Sequence, residues 1–126
     1  MADWNIVAGW TGMFLGLLAG ASIGLFFHQE SFAGGYASFR RRLMRLGHVA
    51  FFGLGFLNVL YALTLDFMAV QLRYPVLASS SLIAGAVLMP LVCFLSAWKQ
   101  PFRHLFALPV IFVAISLWLL IEGLLL

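Results

Sequence analysis

Three histidines and one cysteine are the side chains in this sequence best suited to binding a metal ion or a haem iron. His28, His48 and His104 each lie at or near the end of a long apolar run, and Cys93 lies shortly before the end of another. Imidazole and thiolate are good ligands for zinc, copper and haem iron, and facing helices of a bundle bring such ligands together. The sequence contains no local motif such as C-x-x-C or H-E-x-x-H, so a site depends on the fold.

Each of these residues also has a purely structural interpretation. A histidine at a helix end, as expected for His28 and His104, is stable in the headgroup layer beside arginines and lipid phosphates. His48 lies inside an apolar run, where an ionisable side chain indicates a functional site by default, but a structural hydrogen bond explains it as well. Cys93 has the size and polarity of a buried packing residue. The sequence leaves both interpretations open.

The composition indicates an integral membrane protein. The chain has 126 residues, of which 64% are apolar and 9% charged, and its mean hydropathy is +1.08, whereas soluble proteins are roughly half apolar and a quarter charged. The net charge of +3 comes from residues between apolar segments, where the positive-inside rule explains it. We therefore expect the lipid bilayer, and not a nucleic acid, as the surrounding partner.

Four apolar segments are long enough to cross a bilayer, which requires about 20 residues. We predict a single all-α domain, an up-down bundle of four transmembrane helices at about residues 4–27, 43–65, 76–98 and 104–126. Pro75 opens the third helix, where proline is tolerated. Pro90 lies inside the same helix and is expected to kink it.

The basic residues cluster at two of the three connections between these helices. The first connection carries Arg40, Arg41, Arg42 and Arg45, and the third carries Lys99 and Arg103. We therefore expect both connections on the cytoplasmic side of a bacterial inner membrane and both termini outside. The four arginines are also predicted to anchor the protein to anionic lipid, at about 1 kcal/mol for each basic residue.

Two features of the first two helices indicate helix–helix contacts. Glycine recurs at every fourth position of the first helix, at Gly12, Gly16, Gly20 and Gly24, which makes a glycine ridge that another backbone can approach closely. The partner of this ridge is either another helix of this chain, another copy of the chain or a larger membrane complex. In the second helix, Asn58 is predicted to face protein and to form an interhelical hydrogen bond.

Two functions follow directly from these residues. The first is a subunit or assembly partner of a membrane complex, because the glycine ridge predicts a docking face and the sequence offers no complete set of catalytic residues. The second is a redox bundle in which His48, with His28 or His104, ligates haem b or a transition metal, with Cys93 as a further candidate metal ligand.

A third function is that of a small exporter. In length and helix count the chain resembles the small multidrug resistance transporters, a family that carries an essential carboxylate within its first helix. The first helix here has no carboxylate between Asp3 and Glu30. Glu122 is the remaining candidate, but its position near the end of the fourth helix also predicts an ion pair with Arg73 or with the N-terminal amine. We therefore rank transport third.

Overall fold

The chain folds into four long helices. The structure is a computed structural model and describes residues 2–126. The long helices are α1 (Ala2–Phe27), α2 (Phe39–Phe67), α3 (Pro75–Trp98) and α4 (Ala107–Leu125). Two short 3-10 helices, Phe32–Gly34 and Gln100–Phe106, lie in the first and third connections. Each long helix, α4 together with the 3-10 helix before it, has the length and apolarity of a membrane span, as the sequence predicts.

The start of α2 differs from the predicted one. The helix begins at Phe39 and not near residue 43, because Ser38 is its N-cap and accepts a hydrogen bond of 3.1 Å from the backbone N–H of Arg41. The Ser38 hydroxyl in turn donates to the carbonyl of Ala33 at 2.7 Å. Hydropathy places a boundary at the first apolar residue, whereas a helix starts where a side chain satisfies its free N–H groups. The first turn of α2 is therefore basic.

The helices pack in chain order. α2 packs against α1 and α3, and α4 packs against α3. Gly9 lies against Val59, and Gly20 lies against His48, so α1 and α2 run in opposite directions. α3 is the most enclosed of the four spans, and it continues through the buried Pro90 as one helix.

The main hydrophobic cluster lies where α2, α3 and α4 meet. Its enclosed members are Tyr61, Ala78, Leu82 and Leu119. The outer faces of the helices instead expose large apolar side chains such as Leu17 and Ile121. Such faces suit contact with lipid tails, which are as apolar as leucine.

Candidate functional site

A buried polar cluster joins α1, α2 and α3. Asn5 donates a hydrogen bond of 2.8 Å from Nδ2 to Oδ1 of Asn58 and a longer one of 3.4 Å to the backbone carbonyl of Ser79. The hydroxyl of Ser79 donates to Oδ1 of Asn5. Asn58 also donates to the carbonyl of Leu54, one turn earlier, at 2.9 Å. Asn5 and Asn58 have no exposed surface and Ser79 almost none, so the cluster fixes three helices at one height.

Sequence reasoning identified only one member of this cluster. Asn58 forms an interhelical hydrogen bond of the kind that we predicted for it. Asn5 follows Asp3 and Trp4, which are typical of a membrane interface, and Ser79 is the first of three consecutive serines. The sequence did contain one signal for the pairing of Asn5 with Asn58. When the first two helices are placed antiparallel, the two residues lie at the same depth.

His48 is held against the glycine ridge. Its Nδ1 lies 2.9 Å from the carbonyl oxygen of Gly16, and Nδ1 is the donor because a carbonyl only accepts. The ring covers Gly20 so closely that a Cβ there would lie 3.0 Å from Nε2. Phe52 packs edge-on with its ring centroid 5.3 Å away. His48 therefore makes a structural hydrogen bond, while Nε2 has no such partner within residues 2–126.

The other candidate ligands lie in different parts of the fold: His28 at the end of α1, His104 in the third connection and Cys93 within α3. His28 is exposed just beyond the end of α1. His104 is exposed and lines a cavity with Gln100 and Arg103 in the third connection, whereas Cys93 is buried in α3 beside Gly47. In the described part of the chain, no group of three or more His, Cys, Asp or Glu residues is placed to hold a metal ion. The predicted haem or metal site therefore depends on individual residues and not on a group of ligands that the fold brings together.

Most of the glycine ridge faces α2 of the same chain. The glycines of α1 that lie against α2 are Gly9, Gly12, Gly16 and Gly20. At Gly9 the approach is so close that a Cβ would lie 2.6 Å from the carbonyl oxygen of Gly55 and from a methyl group of Val59. Gly24 has open space, with nothing within 4 Å of the Cβ position. The ridge therefore extends one turn further toward the N-terminus than the predicted series, and it has an internal partner.

Arg41 does not reach lipid headgroups, in contrast to its predicted role as an anchor. It is 2% exposed, and its guanidinium donates to the carbonyl of Phe32 at 2.7 Å and to those of Gln29 and Phe27. The rings of Phe27 and Phe32 lie 4.8 and 5.7 Å from its guanidinium carbon. The dipole of α1 favours a cation at this end. Arg41 therefore caps the last residue of α1, Phe27, and joins the first connection to the start of α2.

The neighbouring arginines differ from one another in their contacts. Arg40 donates from Nε to the carbonyl of Ala97 at 2.9 Å, near the end of α3. Arg45 donates from Nη2 to the carbonyl of Tyr36 at 3.1 Å and lies 4.6 Å above that ring. Arg42 is exposed. Arg42 thus remains best suited to the predicted contact with anionic lipid.

Glu122 forms the predicted ion pair with Arg73. The distance between Oε1 of Glu122 and Nη1 of Arg73 is 3.9 Å. The glutamate is partly exposed near the end of α4, and Arg73 is largely exposed in the second connection. The carboxylate of Glu122, which an exporter would require, is therefore paired with Arg73 at one end of the bundle.

An apolar groove of about 500 Å³ lies between α1 and α3, with α2 also contributing to its lining. We call it the α1–α3 groove. It combines large residues such as Trp4 and Leu91 with small ones. The small residues of the lining are Ala8, Gly12, Gly55 and Ala86. Thr11, which is exposed, adds a hydroxyl to a lining that is otherwise mostly apolar.

Comparison with known proteins gives no relatives. No protein-family model, no curated protein and no solved structure matches this chain significantly.

Proposed function

We propose that this protein is a small subunit or assembly partner of a membrane complex, and that the α1–α3 groove receives a transmembrane helix of the partner protein. One observation carries this proposal: the groove presents small residues and a hydroxyl on the outside of a bundle whose helices are apolar enough to span a membrane. In a bilayer, helix association gains from close packing at small residues and from interhelical hydrogen bonds. A flat surface of leucine offers neither.

The length of the groove suits a helix. Its α1 lining runs from Trp4 to Leu15, which is about 17 Å at 1.5 Å per residue and more than half of a hydrocarbon core of about 30 Å. A lipid acyl chain would fill the same space but would offer no hydrogen-bonding group to Thr11. A partner helix with a small or polar residue at this depth would fill the groove and would also offer a hydrogen-bonding group to Thr11.

The groove replaces the glycine ridge as the docking face. The ridge is covered by α2, so substitutions at Gly16 or Gly20 would disturb the fold before they disturbed any assembly. On the groove, Val7 and Leu15 of α1 and Val87 of α3 remain exposed. These residues are available to a partner without rearrangement of the bundle.

We further propose an up-down topology in a bacterial inner membrane, with both termini outside. The basic first and third connections support it through the positive-inside rule. A test uses cysteines introduced at the exposed residues Met68 and Gln100 in a Cys93→Ser background. A membrane-impermeant thiol reagent applied to intact cells should label Met68→Cys and should leave Gln100→Cys unlabelled until the membrane is opened. The reverse pattern would overturn the topology.

Site-specific photo-crosslinking tests the docking face. A benzoylphenylalanine introduced at Val87, in the groove, should give one discrete protein adduct in native membranes. The same group at the exposed Val110 of α4 should give none of that adduct. Filling the groove with Ala86→Phe should abolish the adduct, while Ala21→Phe, at an exposed position of α1 outside the groove, should not. Adducts with lipid alone, or equal adducts at both positions, would contradict the proposal.

A further inference from the structure

A second cavity, of about 190 Å³, lies in the cleft between the last turns of α1 and the first turns of α2. We call it the α1–α2 cleft. Its polar residues, Arg45 and His48, lie about one turn apart on α2 and so share a face of that helix. The α1 side is formed by Gly20, Ile23, Gly24 and Phe27. The cleft is therefore apolar on one wall and basic on the other.

Arg45 has an unsatisfied donor in this region. Its Nη2 is bonded to the carbonyl of Tyr36, and its guanidinium rests on the Tyr36 ring, but its Nη1 is buried without a hydrogen-bond partner. A buried charged donor without an acceptor is unfavourable, and native structures nearly always supply an acceptor, including water or an ion. The position of Nη1 thus calls for an acceptor from outside the chain.

The chain itself provides no anion at the cleft. The lining contains no aspartate or glutamate, and the one ion pair found within residues 2–126 joins Arg73 to Glu122 in another part of the molecule. His48 has its Nδ1 on the carbonyl of Gly16, so its protonated form presents a second N–H, from Nε2. The guanidinium of Arg45 and, in its protonated form, the ring of His48 are donors on one wall that suit a group with several anionic oxygens.

We propose that the α1–α2 cleft binds a phosphate-bearing anion, whose oxygens accept hydrogen bonds from Nη1 of Arg45 and Nε2 of His48. Arg45 and His48 both line this cavity, so an anion bound in it lies beside both side chains. Gly24 leaves the opposite wall open. The headgroup of an anionic phospholipid and free phosphate share this chemistry, and Ile23 and Phe27 add an apolar wall that a lipid chain can follow.

The test is native mass spectrometry of the detergent-purified full chain, titrated separately with phosphatidylglycerol, phosphatidylcholine and inorganic phosphate. Saturable binding of one phosphatidylglycerol, with phosphatidylcholine about tenfold weaker, identifies an anionic lipid site. Binding of inorganic phosphate with similar affinity identifies a soluble phosphate site. Arg45→Gln should weaken either one about tenfold, the effect of losing a charged hydrogen bond.

Matched variants separate a built site from general charge attraction. Arg103→Gln removes an exposed arginine from the third connection and should leave binding unchanged. Gly24→Leu fills the cleft without removing charge and should abolish binding, whereas Gly53→Leu, whose Cβ position is equally open, should not. Equal losses in Arg103→Gln and Arg45→Gln, wild-type binding in Gly24→Leu, or no saturable binding of any of the three probes would overturn the proposal.

Discussion

The side chains of Asn5 and Asn58 are 53 residues apart in sequence and joined by a hydrogen bond of 2.8 Å in the interior of the bundle. In lipid there is little hydrophobic driving force between helices, so polar contacts of this kind help to select one helix arrangement. The bond, with its extension to Ser79, fixes both the height and the rotation of α1 relative to α2 and α3.

A double-mutant cycle on Asn5→Leu and Asn58→Leu should show favourable coupling. Hydrogen bonds between transmembrane helices contribute about 0.6 kcal/mol on average and up to roughly 1.7, and the near-complete burial here favours the upper part of that range. The measurement is the free energy of unfolding in mixed micelles, with both single variants and the double variant. Strict additivity of the two substitutions would show that the bond does not stabilise the fold.

Arg41→Gln should destabilise the protein much more than Arg42→Gln. The first substitution removes a buried guanidinium that donates to carbonyls of the first connection and of the last residue of α1, for an expected cost of about 2–3 kcal/mol given the strength of charged hydrogen bonds. The second changes an exposed side chain, which normally costs less than about 0.5 kcal/mol. The pair is compared by thermal unfolding in one detergent. Similar melting temperatures for the two variants would argue against the capping role.

Gly9→Ala and Gly24→Ala should have opposite effects on stability. The added methyl group at Gly9 would meet the backbone oxygen of Gly55 at 2.6 Å, and overpacking of this kind costs about 1–3 kcal/mol. At Gly24 the position is open, so alanine should be neutral or stabilising by up to about 1 kcal/mol through its helix propensity. Unfolding in the same micelles provides the comparison, and equal destabilisation by both substitutions would contradict the assigned register.

The four spans could be predicted because long apolar runs leave few alternatives to membrane helices. The start of α2 could not be predicted from hydropathy, since the hydroxyl of Ser38, which precedes a run of arginines, decides it. The ion pair of Arg73 with Glu122 followed from placing both residues at one end of the bundle. The position of each residue along the length of its helix could thus be predicted from the sequence.

The rotation of each helix about its own axis, which decides the side chains that face its neighbours, could not be predicted in the same way. The burial of Arg41 depends on backbone carbonyls of the folded first connection and of the last residue of α1. The glycine ridge predicts close approach but does not specify its partner, and either α2 or another protein satisfies the pattern equally. Asn5 was not identified from the sequence, because its hydrogen-bond partners lie on two other helices.

A carboxylate introduced into the α1–α2 cleft should replace the proposed anion. Gly24→Asp places the carboxylate opposite Arg45 and His48 in open space, where it supplies the acceptor that Nη1 of Arg45 lacks. In a detergent free of phosphate groups, we expect Gly24→Asp to melt higher than Gly24→Asn, by a margin equivalent to roughly 1 kcal/mol after part of the hydrogen-bond gain is lost to desolvation. Adding phosphatidylglycerol should then raise the melting temperature of the wild type but not that of Gly24→Asp, since a ligand stabilises only a protein that binds it. If Gly24→Asp and Gly24→Asn melt at the same temperature, and phosphatidylglycerol still raises the melting temperature of both, then Arg45 does not direct its free donor into the cleft.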